Sequence, residues 1–165
     1  MDTSVGAHWV NFMLAGAGAA SALTGLLFVA LSINLARILE LPGVPGRAVE
    51  AIVLLAGALV GALLVLLPNE SAWALGVMII AVGAVTWGIP TWSQIRGYRR
   101  GEYYRRRYAL QRLVFQQAAT IPFLLAGLSL CGYLPGQLYW LAAALILSML
   151  VAIIDAWVLL VEILR

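Results

Sequence analysis

The feature that most constrains the fold of this chain is a succession of five long apolar stretches. A spanning helix needs about 20 predominantly apolar residues to cross roughly 30 Å of hydrocarbon. The stretches cover approximately 9–36, 48–67, 72–92, 110–130 and 137–164 of the 165 residues, and 64% of the chain is hydrophobic. Little length is left for a soluble domain. We therefore predict a single membrane domain, 1–165, with an all-α fold: a polytopic integral membrane protein built as a bundle of five transmembrane helices.

The charged residues predict how this bundle is oriented. All ten cationic residues are Arg, and seven of them lie in the segment 95–112, which we predict to be an Arg-rich loop between the third and fourth spans. Arg concentrates on the cytoplasmic side of membrane proteins. With this loop inside, five spans place the N-terminus outside and the C-terminus inside, and every Arg then falls on the cytoplasmic side. The use of Arg without Lys, together with abundant Ala, Gly and Leu, favours a multi-pass protein of a bacterial inner membrane.

Two spans carry small residues at helical spacing. Ala17, Ser21 and Gly25 recur every four residues along the first span, and Gly57 and Gly61 have GxxxG spacing in the second. Small residues let helix backbones approach closely in lipid, where apolar burial gives no drive for association. We predict that these faces pack against other helices and that the protein forms a homo-oligomer through them.

Polar residues inside the spans are the candidates for a functional site. An ionisable group within a span usually faces the bundle interior, a partner or water, because exposure to lipid is costly. In the predicted topology most of the candidates fall in the cytoplasmic half of the membrane. The set comprises Asn34, Glu50, Gln116, Gln117, Thr120, Ser148, Asp155 and Glu162.

Helical spacing arranges some of these candidates in two stripes. Ser148, Asp155 and Glu162 lie seven apart on the fifth span, and Arg112, Gln116 and Thr120 lie four apart on the fourth. Residues at these spacings share a helix face. A short turn joins the two spans, so they are antiparallel neighbours and we expect the stripes to face each other.

Asp155 has two interpretations. In the functional one it lines a hydrated vestibule, where it binds a cation or relays a proton. In the structural one it forms an ion pair with Arg112 or Arg37, and the Gln residues hydrogen-bond to neighbouring helices. The two interpretations are compatible with each other.

The Arg-rich loop also has two interpretations. Its cations can contact anionic lipid headgroups or a cytoplasmic regulator, or the loop is simply the topology determinant. The lipid-contact candidates are Arg99, Arg100, Arg105, Arg106 and Arg107.

The residue inventory argues against several enzyme classes. One His and one Cys do not support haem ligation by two His, a zinc-metalloprotease motif or disulfide exchange, and the two Asp residues lie at opposite ends of the chain. We therefore expect no enzyme activity, no catalytic or metal-binding residues, no cofactors and no nucleic-acid partner. The expected function is passive ion conduction through a helical pore of a small oligomeric membrane protein. The alternative is a non-catalytic regulatory or structural membrane subunit that binds a partner protein or lipid.

Overall fold

A computed structural model describes residues 9–41, 43–68, 70–99 and 106–164 of the chain, and gives the backbone alone for 106–109 and 162–164. Within these ranges all regular structure is α-helical, and there is no strand. The helices are α1 (Val10–Ile33), α2 (Leu35–Glu40), α3 (Val44–Val65), α4 (Ala72–Arg99), α5 (Arg106–Leu130) and α6 (Leu138–Leu164). All but the six-residue α2 contain a segment long and apolar enough to cross a membrane. The predicted all-α protein with five transmembrane helices is confirmed.

The helices extend beyond the predicted spans at the end of the bundle that carries the arginines. The segment 95–112 was expected to be a loop, but α4 continues to Arg99 and α5 begins at Arg106, which leaves 100–105 outside the described residues. Arg and Gln are good helix formers, and a helix can continue into the interfacial water after its apolar sequence has ended. The apolar pattern therefore marks the edge of the hydrocarbon and not the end of the helix.

The second span likewise begins before its first charged residue. Gly43 adopts the left-handed conformation, with φ of 81°, and α3 starts at Val44 with Pro45 in its first turn. Proline is tolerated at this position because the first backbone N–H groups of a helix have no intrahelical acceptor. As a result, Arg47 and Glu50 both lie on the helix, about one turn apart.

Helix α3 lies at the centre of the packing. It contacts α1, α4 and α6, while α5 completes a ring by packing against α4 and α6; α1 lies outside this ring and touches α6 only slightly. Gly57 and Gly61 allow the close approach, because a Cβ atom on Gly57 would collide with the methyl group of Thr86 and one on Gly61 would lie 3.0 Å from Phe123 Cε1. The α3 glycines thus pack against α4 and α5 within one chain.

Consecutive spans run in opposite directions, so one end of the bundle collects the C-termini of α1, α4 and α6 and the N-termini of α3 and α5. We refer to it as the arginine-rich end. Contacts across it confirm the arrangement: a Cβ atom on Gly46 of α3 would lie 3.1 Å from Ser93 Oγ of α4. Arg37, Arg47, Arg96, Arg99 and Arg112 all belong to this end.

Candidate functional site

Four ionisable side chains converge inside the ring of helices near the arginine-rich end. We refer to them as the charge cluster: Arg47 and Glu50 from α3, Arg112 from α5 and Asp155 from α6. Glu50 is fully buried, and Asp155 and Arg112 are 6% and 9% exposed. Such groups persist within spans only when they are paired or hydrated.

The cluster is made of two ion pairs. Arg112 Nε donates a hydrogen bond of 2.8 Å to Glu50 Oε2, and Arg47 Nη1 lies 3.7 Å from Asp155 Oδ1. The pairs are close enough to interact, since Asp155 lies in the electrostatic field of both guanidinium groups and in that of Glu50. Two positive and two negative side chains make the cluster neutral.

Helix α4 contributes an uncharged side chain to the cluster. Gln94 is 7% exposed and its side chain approaches the Glu50 carboxylate. Gly46 of α3 lies beside Arg112, since a Cβ atom there would be in van der Waals contact with Arg112 Nη2, at 3.7 Å. All four helices of the ring therefore contribute to one polar region.

Polar side chains continue from the charge cluster toward the middle of the membrane. Gln116 and Thr120 lie one and two turns beyond Arg112, and Ser148 lies on the facing side of α6; all three are at most 1% exposed. Gln116 Nε2 donates to the Thr86 carbonyl at 3.4 Å, and Ser148 Oγ donates to the Ala119 carbonyl at 3.4 Å. We refer to the charge cluster together with Gln94, Gln116, Thr120 and Ser148 as the polar column.

The polar column stops at an apolar layer. Phe123, one turn beyond Thr120, is fully buried and packs with Ile79, Leu141 and Leu145. A layer of this composition offers water and ions no polar contact, so the succession of polar side chains ends here.

Two acceptor atoms of the polar column are buried without a hydrogen bond. By geometry, neither Glu50 Oε1 nor Gln116 Oε1 accepts a hydrogen bond from the described residues, and Gln94 Nε2, whose side chain approaches the Glu50 carboxylate, is likewise buried without a hydrogen-bond partner. Buried polar atoms nearly always have one, so each exception calls for an explanation. Carboxylate and carboxamide oxygen atoms accept hydrogen bonds from water and coordinate metal cations.

The structure brings together only part of the predicted candidate set. Glu50, Gln116, Thr120, Ser148 and Asp155 all belong to the polar column. Two of the remaining candidates lie elsewhere. Asn34 caps α1 and donates to its own Ala30 carbonyl, and half-buried Gln117 accepts a hydrogen bond of 2.7 Å from Trp87 Nε1. The Glu162 side chain lies outside the described part of the structure.

The small-residue stripe of α1 is not a contact within the chain along its whole length. Ala17 is buried, but Ser21 and Gly25 are exposed, and a Cβ atom on Gly25 would meet nothing within 4 Å. This half of the stripe faces the lipid or another protein. Among the proposed lipid-contact arginines, Arg99 is exposed at the end of α4. Nothing is described of the side chains of Arg100, Arg105, Arg106 and Arg107.

Asp155 forms an ion pair with Arg47, which was not among the partners expected from the sequence. Of the two expected partners, Arg112 hydrogen-bonds to Glu50 and also attracts Asp155 electrostatically, whereas Arg37 is exposed on α2. Arg47 reaches Asp155 because α3 starts at Val44, which places Arg47 on the helix about one turn before Glu50. Gln94 was not among the site residues predicted from the sequence, although Thr86, Pro90 and Gln94 recur at four-residue spacing and are all buried on one face of α4.

No family model, no curated protein and no solved structure matches this chain. Within the described residues no group of three or more His, Cys, Asp or Glu side chains is placed to hold a metal ion. The polar column is therefore the feature of the described structure that bears on function.

Proposed function

We propose that this protein conducts protons or small cations passively across the membrane, with the polar column as one half of the pathway. The observation that carries the proposal is the pair of unpartnered acceptors, Glu50 Oε1 and Gln116 Oε1, buried within a ring of spanning helices. A permeating ion needs such oxygen atoms to replace its hydration shell. Arg112 occupies the other carboxylate oxygen of Glu50, which keeps the interaction with a cation weak enough for release.

Conduction requires the apolar layer around Phe123 to open or to wet. Hydrophobic constrictions gate channels by excluding water, and a modest change in radius is enough to admit it. Phe123 is the natural gate residue because its ring lies directly against the helix surface at Gly61. A smaller side chain there would join the polar column to the opposite half of the bundle.

The charge neutrality of the cluster favours a second candidate, a non-catalytic structural or regulatory membrane subunit. Each carboxylate already faces a guanidinium group, as in networks that fix helix positions. In this case the exposed faces of α1 would bind a partner protein or lipid, and the column would carry no ion.

The proposal includes an orientation and an assembly. The arginine-rich end faces the cytoplasm of a bacterial inner membrane, with the N-terminus outside and the C-terminus inside, in keeping with the positive-inside rule. Copies of the chain associate through the exposed half of the α1 stripe, where Ser21 and Gly25 allow close helix approach. Arg99 and its neighbours contact anionic lipids at the cytoplasmic surface.

Ion flux into liposomes tests the proposal. Purified protein reconstituted into vesicles should dissipate a proton or potassium gradient, and Phe123→Ala should increase the rate. Gln116→Met, which keeps the volume and removes the acceptor, should lower the flux. Gln117→Met is the matched control, since Gln117 lies outside the column and its loss should leave flux unchanged.

The result also discriminates between the two candidates. If neither the native protein nor folded Phe123→Ala protein carries ions, the conduction proposal fails and the subunit interpretation is favoured. Circular dichroism and gel filtration of each variant establish that a lost flux does not reflect a lost fold.

A further inference from the structure

A second feature, unrelated to the polar column, is a groove on the lipid-facing surface between α1 and α6. Both helices pack on α3 but scarcely touch each other, which leaves an apolar cleft of about 240 Å³. Leu23, Leu27 and Asn34 belong to the α1 wall, and Ala152 and Ala156 belong to the α6 wall. We refer to this cleft as the α1–α6 groove.

The groove has the length of one membrane leaflet. It extends along α1 from Leu23 near the middle of the helix to the C-cap residue Asn34, and these eleven steps correspond to about 16 Å at a rise of 1.5 Å per residue. Half of a hydrocarbon core of roughly 30 Å is about 15 Å. The groove therefore begins near the bilayer midplane and ends at the headgroup level of the arginine-rich end.

The width of the groove distinguishes between occupants. The empty space between its walls, including its open side, is about 770 Å³, whereas a helix 10 Å in diameter would occupy about 1,250 Å³ over the same 16 Å. A helix of a second copy therefore does not fit into the groove, whereas a hydrocarbon chain is much thinner. Leu26, on the rim, is 70% exposed, so the groove is open to the surrounding lipid.

The end of the groove at the headgroup level has side chains nearby that can bind a phosphate group. Asn34 lines that end, and its Nδ2 group donates only one of its two N–H bonds to the Ala30 carbonyl. Arg37 is exposed one turn further along, on α2. Glu40 on the same short helix balances this charge, so the attraction for a phosphate comes from direct contact with the Arg37 guanidinium group.

We infer that the α1–α6 groove holds one acyl chain of an anionic phospholipid, whose phosphate group is bound by Arg37 and Asn34. The lipid fills the gap between α1 and α6 and so stabilises the packing of α1 against the ring of helices. This binding is independent of ion conduction.

The test measures how much phospholipid detergent-purified protein retains, by native mass spectrometry, and how far added lipid raises the melting temperature. The probes are dioleoylphosphatidylglycerol and dioleoylphosphatidylcholine. Ala156→Phe fills the groove from the α6 wall and should abolish the retained lipid mass for both probes. Ala30→Phe fills it from the α1 wall and repeats the test if the first variant does not fold. Ala84→Phe is the control, since Ala84 is exposed on α4 away from the groove.

The headgroup contact has its own variant. Arg37→Gln should lower the affinity for phosphatidylglycerol about fivefold, the equivalent of about 1 kcal/mol for one arginine near the membrane surface, and leave phosphatidylcholine unaffected. Arg96→Gln, at an exposed arginine of α4 at the same end, should change neither affinity.

Two results would overturn the inference. One is equal lipid retention by Ala156→Phe, Ala30→Phe and Ala84→Phe. The other is a loss of oligomer mass in the groove-filling variants with lipid retention unchanged, which would make the groove a contact between copies of the chain.

Discussion

Among the charged side chains that the structure describes, Glu50 should be the one whose neutralisation destabilises the protein most. Its carboxylate is fully buried and accepts a hydrogen bond from Arg112 Nε at 2.8 Å. Glu50→Gln keeps the shape of the side chain and removes the charge. The guanidinium group of Arg112 then remains buried at the same place, opposite an amide in place of a carboxylate.

The structure sets the size of the effect. At 2.8 Å and an effective dielectric constant of about 20, the direct attraction is about 6 kcal/mol, and desolvation of both groups offsets part of it. Breaking a buried pair from one side typically costs about 3–5 kcal/mol. Asp155 lies in the field of Arg112 and compensates some of the loss, so we expect the lower value, about 3 kcal/mol.

The Asp155 pair should contribute less than the Glu50 pair. Its contact is longer, 3.7 Å, and the Arg47 side chain is 19% exposed. We expect Asp155→Asn to cost about 1–2 kcal/mol, between the values for exposed and buried pairs. The geometry therefore predicts that Glu50→Gln lowers the free energy of unfolding more than Asp155→Asn does.

Thermal unfolding in detergent, followed by tryptophan fluorescence, measures these differences. A loss of about 3 kcal/mol corresponds to a fall in melting temperature of roughly 6–12 °C for a chain of this size. Glu40→Gln is the matched control, since Glu40 is exposed at the same end and its neutralisation should change stability by less than about 0.5 kcal/mol. Glu50→Gln combined with Arg112→Gln should show a coupling energy of about 2 kcal/mol. Additive losses, or a Glu50→Gln protein with the same melting temperature as the control, would contradict this prediction.

Three further predictions concern helix packing and orientation. Gly57→Ala should destabilise the protein by about 1–3 kcal/mol in the same thermal assay, because its Cβ atom collides with Thr86, whereas Gly25→Ala should be nearly neutral. Gly25→Leu should leave the protomer folded and reduce the oligomer mass measured by light scattering; an unchanged mass would show that the α1 stripe does not mediate association. A reporter fused after Arg165 should be cytoplasmic and one fused before Met1 should be outside; finding both on one side would contradict the proposed topology.

The five spans were predictable because the requirement for them is local. Each apolar stretch has to satisfy its backbone hydrogen bonds within itself in lipid, so length and composition determine a helix without knowledge of its neighbours. The helix ends at 95–112 were not predictable in the same way. Beyond the hydrocarbon, Arg and Gln are compatible with both helix and loop, and the choice depends on how α4 and α5 pack against each other.

The members of the polar column were largely predictable, but their pairing was not. Helical spacing places Gln116 and Thr120 on one face and Ser148 and Asp155 on another, and the structure buries all four. Which guanidinium group meets which carboxylate depends on the depth and rotation of each helix. The start of α3 at Val44 places Arg47 on the helix, where it reaches Asp155.

Glu50 also defines how stability and conduction can be separated experimentally. Its Oε2 atom holds Arg112, while its Oε1 atom is one of the unpartnered acceptors, so any change at Glu50 alters both properties at once. Gln116 also has an unpartnered acceptor, Oε1, but it carries no charge. Its hydrogen bond to the Thr86 carbonyl is long, at 3.4 Å. Interhelical hydrogen bonds in membranes contribute on average about 0.6 kcal/mol, so Gln116→Met should lower stability only slightly. A loss of flux in that variant, with its melting temperature nearly unchanged, would assign the acceptor oxygens to the ion pathway, whereas a parallel loss of both would assign the column to packing.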